Sequence, residues 1–249
     1  MLPACRGRQE SPNVSNGPTV TRRAAFTQPP FSTKEPDRYQ AIRITTFTGT
    51  GNTENSSSQS NQVLIARDGE KRREEYSAGS SGHIVYLEIP AGRFIVLPAN
   101  KLYADLSTAS RDTEQGNDLP DSSGDYSGLS PDQLLNQEHV PATYEKLGTE
   151  TLAGRMTTKY RVVVLSGSGS QNETLIWIDE ALGLPIKSEA MSKSSWQSST
   201  VTMELKDVRL EVDQGLFSWP SDYRKVESRL ISDLLRNGGG PATPKPEKK

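Results

Sequence analysis

Apolar and polar side chains alternate along residues 156–164. Met156, Tyr160, Val162 and Val164 fall on one side, and Thr157, Lys159 and Arg161 on the other. Period two marks a strand with one buried and one wet face. The Ser/Gly run 166–170 breaks the alternation, and only a flexible turn fits there. Residues 175–179 form a second strand, apolar on both sides through Leu175, Ile176, Trp177 and Ile178, which predicts a central or covered position. A turn at 182–185, a third strand at 186–191 and a long fourth strand at 196–212 complete the set.

The fourth strand changes phase. Val201, Met203 and Leu205 are apolar at odd positions, and Val208, Leu210 and Val212 at even ones. A one-residue slip would turn one set outward. A β-bulge at Lys206 and Asp207 keeps both sets inward and predicts a strongly curved sheet.

The first half of the chain reads as a second meander. A strand at 39–48 carries Ile42 and Ile44 on one face and Ala41, Thr45 and Phe47 on the other. A polar loop is expected at 50–60, then a strand at 62–66. The sequence Arg67-Asp68-Gly69-Glu70 is a hairpin signal, because Asp-Gly suits primed turns. The charged segment 71–76 answers it. That run reads either as an anionic binding patch or, more plainly, as a solvated edge or outer face. Strands at 83–89, 93–98 and 101–106 follow. His83 has no acidic or Cys neighbour in phase along its strand and reads as structural.

Residues 107–128 are polar and irregular, and 130–135 read as a short helix capped by Ser130. Residues 141–147 lead into the second strand set. Leu216, Phe217 and Trp219 are placed to close one end of the sheet. Val226, Leu230, Ile231, Leu234 and Leu235 form a helical stripe over 226–236, suited to docking on the domain, to a partner or to a membrane surface, with docking preferred.

Composition narrows the function. Only 33% of the 249 residues are hydrophobic, which places the polar excess in disordered segments such as 6–30. A net charge of −2 gives no electrostatic case for nucleic acid. No apolar run approaches the length of a membrane span. One cysteine and two histidines leave little material for a disulfide, a metal site or His-based catalysis. Asp118, Asp121 and Asp125 lack the spacing of a calcium loop. No nucleophile elbow, phosphate-binding glycine loop or metal motif is present, so neither an enzyme nor a cofactor is expected. The start, Leu2-Pro3-Ala4-Cys5, resembles a bacterial lipobox, with Cys5 as the acylated residue. The charged and apolar signal expected upstream is not part of the sequence, so an incidental cysteine is the other reading.

Several segments together resemble the periplasmic outer-membrane lipoprotein carrier-like (LolA/LolB-like) superfamily. They are residues 65–74, Phe94 to Pro98, Tyr144 to Gly148, Thr158-Lys159-Tyr160 with Ile176 to Asp179, Leu184 to Lys187, and Leu216-Phe217 ahead of Pro220. The resemblance implies a mainly β (α+β) fold: a curved, antiparallel, unclosed half-barrel with a few helices over its concave face. Together with the patterns above it divides the chain into an N-terminus, lipidated if Cys5 is acylated, with a disordered linker (1–33), the half-barrel (34–224, with a flexible loop at 107–129), an amphipathic helix (225–237) and a disordered tail (238–249). It also implies a non-enzymatic lipid- or lipoprotein-binding protein of the bacterial envelope, in the periplasm and anchored to a membrane if Cys5 is acylated. Acyl chains would lie against Ile42, Ile44, Met156, Tyr160, Val162, Trp177, Val201, Met203 and Leu205. The alternative is a structural or sensory envelope module that binds a protein partner through a sheet edge or the C-terminal helix.

Overall fold

Long strands with backbone partners on both sides dominate the computed structural model, which describes residues 25–50, 56–77, 82–107, 142–165, 171–193, 198–218 and 222–236. The strands are β1 (Ala25–Phe26), β2 (Arg38–Thr50), β3 (Ser56–Asp68), β4 (Lys71–Ser77), β5 (His83–Ile89), β6 (Gly92–Leu97), β7 (Leu102–Asp105), β8 (Ala142–Leu152), β9 (Arg155–Leu165), β10 (Gln171–Asp179), β11 (Leu184–Lys193), β12 (Ser198–Arg209) and β13 (Arg224–Lys225), followed by the helix α1 (Ser228–Arg236). They form one sheet in the order β1-β8-β9-β10-β11-β12-β2-β3-β4-β5-β6-β7-β13. Two meanders, β8–β12 and β2–β7, are joined by the antiparallel pair β12–β2. Only β13 runs parallel to its neighbour, β7. The sheet does not close on itself, so the molecule is an open half-barrel with one described helix on one face.

The bulge expected from phase is present. Register shifts between Lys206 and Arg209, and Asp207 sits in left-handed backbone at φ 52°. The extra residue lets Leu205 and Val208 contribute to the same apolar cluster. The carbonyl of Val208 accepts a 3.0 Å bond from Arg155, which also pairs with Asp179. Inward facing stops there. Leu210 is exposed and Val212 packs elsewhere, because the strand ends at Arg209.

Three other expectations change. Residues 56–60 are not loop: they pair with Thr46–Thr50 and extend the β2–β3 hairpin. Backbone register carries this part, helped by the strand preference of threonine, with no apolar alternation to announce it. Residues 142–152 form a full strand, hidden in the sequence by the register shift between Lys146 and Gly148. Ala25 and Phe26, inside the stretch read as linker, pair with Glu145 and Tyr144 at the sheet edge. The expected short helix at 130–135, the loop at 108–128, Trp219, Cys5 and the tail from 237 lie outside the described residues.

Among the described residues, three apolar cores hold the sheet. The largest lies on the face that carries α1 and gathers Tyr39, Ala41, Val63, Ile65, Tyr76, Ile84, Ile95, Leu97, Leu102, Ala104, Leu184, Ile186 and Leu205 around the fully buried Ile231. The helix is therefore docked, with Val226, Leu234 and Leu235 packed on the same core. A second core on β8–β10 joins Tyr144, Tyr160, Val162, Ile176 and Ile178, with Phe31 laid across it. Phe31 stacks at 4.8 Å from Tyr160 and 5.8 Å from Tyr144. The third lies on the opposite face of β5–β7, where Phe217 covers Val85, Leu87, Phe94 and Val96 as the sequence suggested. A short 3-10 turn, Gln214–Phe217, brings it there, with Asp213 accepting a 2.8 Å bond from the Gly215 amide.

Candidate functional site: the inner face of the sheet

Strand register decides which side chains share the face under α1. In an antiparallel pair, directly opposed residues point the same way. Leu205 opposes Arg43, Met203 opposes Thr45, and Val201 opposes both Phe47 and Ala190. Leu205 and Ala41 belong to the helix-covered core, so Arg43, Thr45, Phe47, Val201 and Met203 share that inner face. Tyr160 opposes Ile176 and Val162 opposes Thr174, and Ile176 opposes Ser188, which itself opposes Met203. Tyr160 and Val162 are thus inner-face residues too.

The nine residues expected to line an apolar cavity therefore divide. Tyr160, Val162 and Leu205 lie on the inner face and are buried in filled cores. Val201 and Met203 lie on it half-buried, with Phe47 and Ala190 beside them, and belong to none of the three cores. Ile42 and Ile44 oppose Lys206 and Glu204 and face the other way. Trp177 also faces outward: the ammonium groups of Lys159 and Lys187 lie 4.4 and 4.9 Å from its ring, and its Nε1 donates to Glu150. Apolar character placed Ile42, Ile44 and Trp177 in the set, but the pleat turns them away. Met156 is 75% exposed, at the β8–β9 turn.

The Tyr160 hydroxyl donates a 3.2 Å bond to Glu180. Burial first, and the Glu180 charge second, push its pKa up to about 12. It stays a neutral donor at any physiological pH.

The charged run in β4 is neither an edge nor a solvated face. β4 lies between β3 and β5, and its arginines and glutamates are half-buried. Arg72 and Glu74 point to the inner face together with Arg43 and Arg67. Glu35, ahead of β2, anchors them. It accepts from Arg67 Nη1 at 3.0 Å, from Arg72 Nη1 at 2.8 Å and from the Tyr39 hydroxyl at 2.7 Å. Glu74 accepts from Arg72 Nε at 3.1 Å and from the Tyr76 hydroxyl, and lies 3.8 Å from the buried Arg43. Burial works against both charges, yet the partners win. Glu35 and Glu74 raise the pKa of Arg72, and Tyr76, Arg43 and Arg72 lower that of Glu74. The alternation Arg72, Glu74 and Tyr76 on one face was visible in the sequence, but the partners that bury it were not.

His83 has an acidic neighbour after all: its Nδ1 is 3.3 Å from Glu75 on the adjacent strand, a contact that reading along one strand missed. No group of three or more His, Cys, Asp or Glu among the described residues is placed to hold a metal ion.

No family model and no curated protein matches this chain. Solved structures do. The chain is similar to lipoprotein LppX of Mycobacterium tuberculosis at 13% identity and TM-score 0.36, over 69% of this chain and 88% of that one. It is similar to a structure of the MucA/MucB complex of Pseudomonas aeruginosa at 13% identity and TM-score 0.39, over 76% of this chain and 59% of that one. It is also similar to a LolA superfamily protein of Nitrosomonas europaea at 11% identity and TM-score 0.29, over 75% of this chain and 92% of that one.

Proposed function

We propose that this chain is a non-enzymatic binding protein of the bacterial cell envelope that takes acyl chains of a lipid or lipoprotein on the inner face of its half-barrel. The observation that carries the reading is the apolar strip of Phe47, Val201, Met203 and Ala190. It sits on the inner face at the far ends of β2, β11 and β12, beside two filled cores, and stays half-buried among the described residues. An acyl chain needs only such a surface, at about 0.8 kcal/mol per buried methylene. The sequence resemblance supports the envelope location, and acylation of Cys5 would supply a membrane anchor. Of the residues first considered, Val201 and Met203 are the ones to bind a chain. Tyr160, Val162 and Leu205 shape the floor from within the cores.

The test is native mass spectrometry of the full chain made in bacteria, before and after organic extraction, followed by uptake of a fluorescent fatty acid. An extractable fatty-acid or phospholipid mass, with uptake weakened at least tenfold by Met203→Asp at an unchanged thermal midpoint, is the expected result. A clean protein mass and no uptake would overturn it.

A second reading rests on the sheet edge. β1 covers only Tyr144 and Glu145 of the eleven-residue β8, which leaves β8 from Lys146 to Leu152 without a further strand among the described residues. A partner's extended segment would add there by backbone pairing. The same experiment separates the two: this reading predicts no lipid and no effect of Met203→Asp.

A further inference from the structure

A polar cavity of about 460 Å³ opens at the other end of the inner face, where the β3–β4 and β5–β6 turns meet Glu35. Its lining includes Glu35, Arg67, Glu70, Arg72, Glu88 and Ile89. The volume is in the range of small-ligand sites.

The two arginines are fixed and incompletely used. Arg72 spends Nε on Glu74 and Nη1 on Glu35, while its Nη2 has no hydrogen-bond partner among the described residues. Arg67 spends Nε on the Gly69 carbonyl and Nη1 on Glu35, while its Nη2 has only a 3.7 Å ion pair with the exposed Asp37. One carboxylate, Glu35, serves both guanidinium groups, and each group keeps an Nη2 without a hydrogen bond to any described residue. Planar donors held this way match an oxyanion. The other two acidic residues of the lining, Glu70 and Glu88, make no hydrogen bond or ion pair with any described residue. Glu88 directly opposes Arg72 in register, yet Arg72 turns to Glu35 and Glu74 instead. A bare anion would meet repulsion from these carboxylates. A ligand that also carries an ammonium group would not.

We infer that this cavity binds a small zwitterion, its oxyanion held by Arg67 and Arg72 and its ammonium by Glu88 and Glu70. The chemistry fits the headgroup of an ethanolamine phospholipid and equally a free α-amino acid. The site is separate from the apolar strip, so it stands whether or not acyl chains bind there.

Isothermal titration of the full chain with glycerophosphoethanolamine, alanine, inorganic phosphate and ethanolamine tests it. At least one zwitterion should bind, with phosphate and ethanolamine each at least tenfold weaker. Binding of glycerophosphoethanolamine alone assigns the headgroup source, and binding of alanine alone the amino-acid source. Glu88→Gln, which removes no hydrogen bond or ion pair among the described residues, should weaken the zwitterion about tenfold and leave phosphate unchanged or tighter. Failure of both zwitterions to bind, phosphate binding as tightly as either, or an indifferent Glu88→Gln would each overturn the assignment. Fatty-acid uptake measured on Glu88→Gln should equal that of the natural chain, which keeps this outcome distinct from that of the apolar strip.

Discussion

Ile231 is the most deeply buried side chain of α1, and Ile231→Ala measures how much it contributes to docking. Ile231 is fully buried at the centre of the largest core, while Leu230, its neighbour on the helix, is 39% exposed. The substitution removes about three methylene equivalents at about 0.8 kcal/mol each, or about 2.4 kcal/mol of transfer free energy. A residual cavity adds to that, within the range of about 2–5 kcal/mol seen for buried Ile→Ala changes. We expect about 3 kcal/mol. Helices of this length are marginal alone. If docking is worth less than that, the cost saturates at the docking free energy and the helix comes free. Urea unfolding followed by tryptophan fluorescence reads the loss, and limited proteolysis near residues 228–236 reads undocking. Leu230→Ala is the control and should cost less than about 1 kcal/mol. Equal effects of the two substitutions, or no effect of either, would refute the docked helix and return its stripe to a partner or a membrane.

Acid should weaken the inner-face ion network. The Glu74 pKa is lowered on folding, so its contribution to stability is present above the unfolded carboxylate value of about 4.3 and is lost as pH falls below that, through the folded value. The urea midpoint should hold from pH 7 to about 5 and drop below it, and Glu74→Gln should flatten that drop while lowering the neutral plateau. Gly183 has φ +69°, and a Cβ there would lie 3.0 Å from the Lys34 carbonyl oxygen and 3.1 Å from its nitrogen. Both are backbone atoms, tied by the 3.1 Å bond from the Lys34 amide to the Gly183 carbonyl. Gly183→Ala should therefore cost more than about 1 kcal/mol in the same unfolding assay, and a neutral result would mean that the 31–37 segment is not held against the β10–β11 turn.

Much of the architecture was legible because period two is written in the side chains themselves. The strands at 83–89 and 156–164 and the bulge at Asp207 follow from alternation and its one slip, since a sheet with a buried face leaves no freedom in which residues face inward. The helix was legible for the same reason at a different period. What stayed hidden depended on partners distant in sequence. β8 and the first residues of β3 are strands because neighbours pair with their backbone, a demand that side chains do not record. Ile42, Ile44 and Trp177 are as apolar as Val201 and Met203, and only cross-strand register puts them on opposite faces. The β4 charges illustrate the limit most clearly. In sequence, Arg72 and Glu74 look like solvated charge. In the fold, Glu35 arrives from ahead of β2 and Arg43 from within it, and together they turn the run into a half-buried network beside a cavity. Local pattern determined the regularly alternating strands and the bulge. Tertiary contact decided which charges were paired, which donors were left free, and therefore where a ligand can be held.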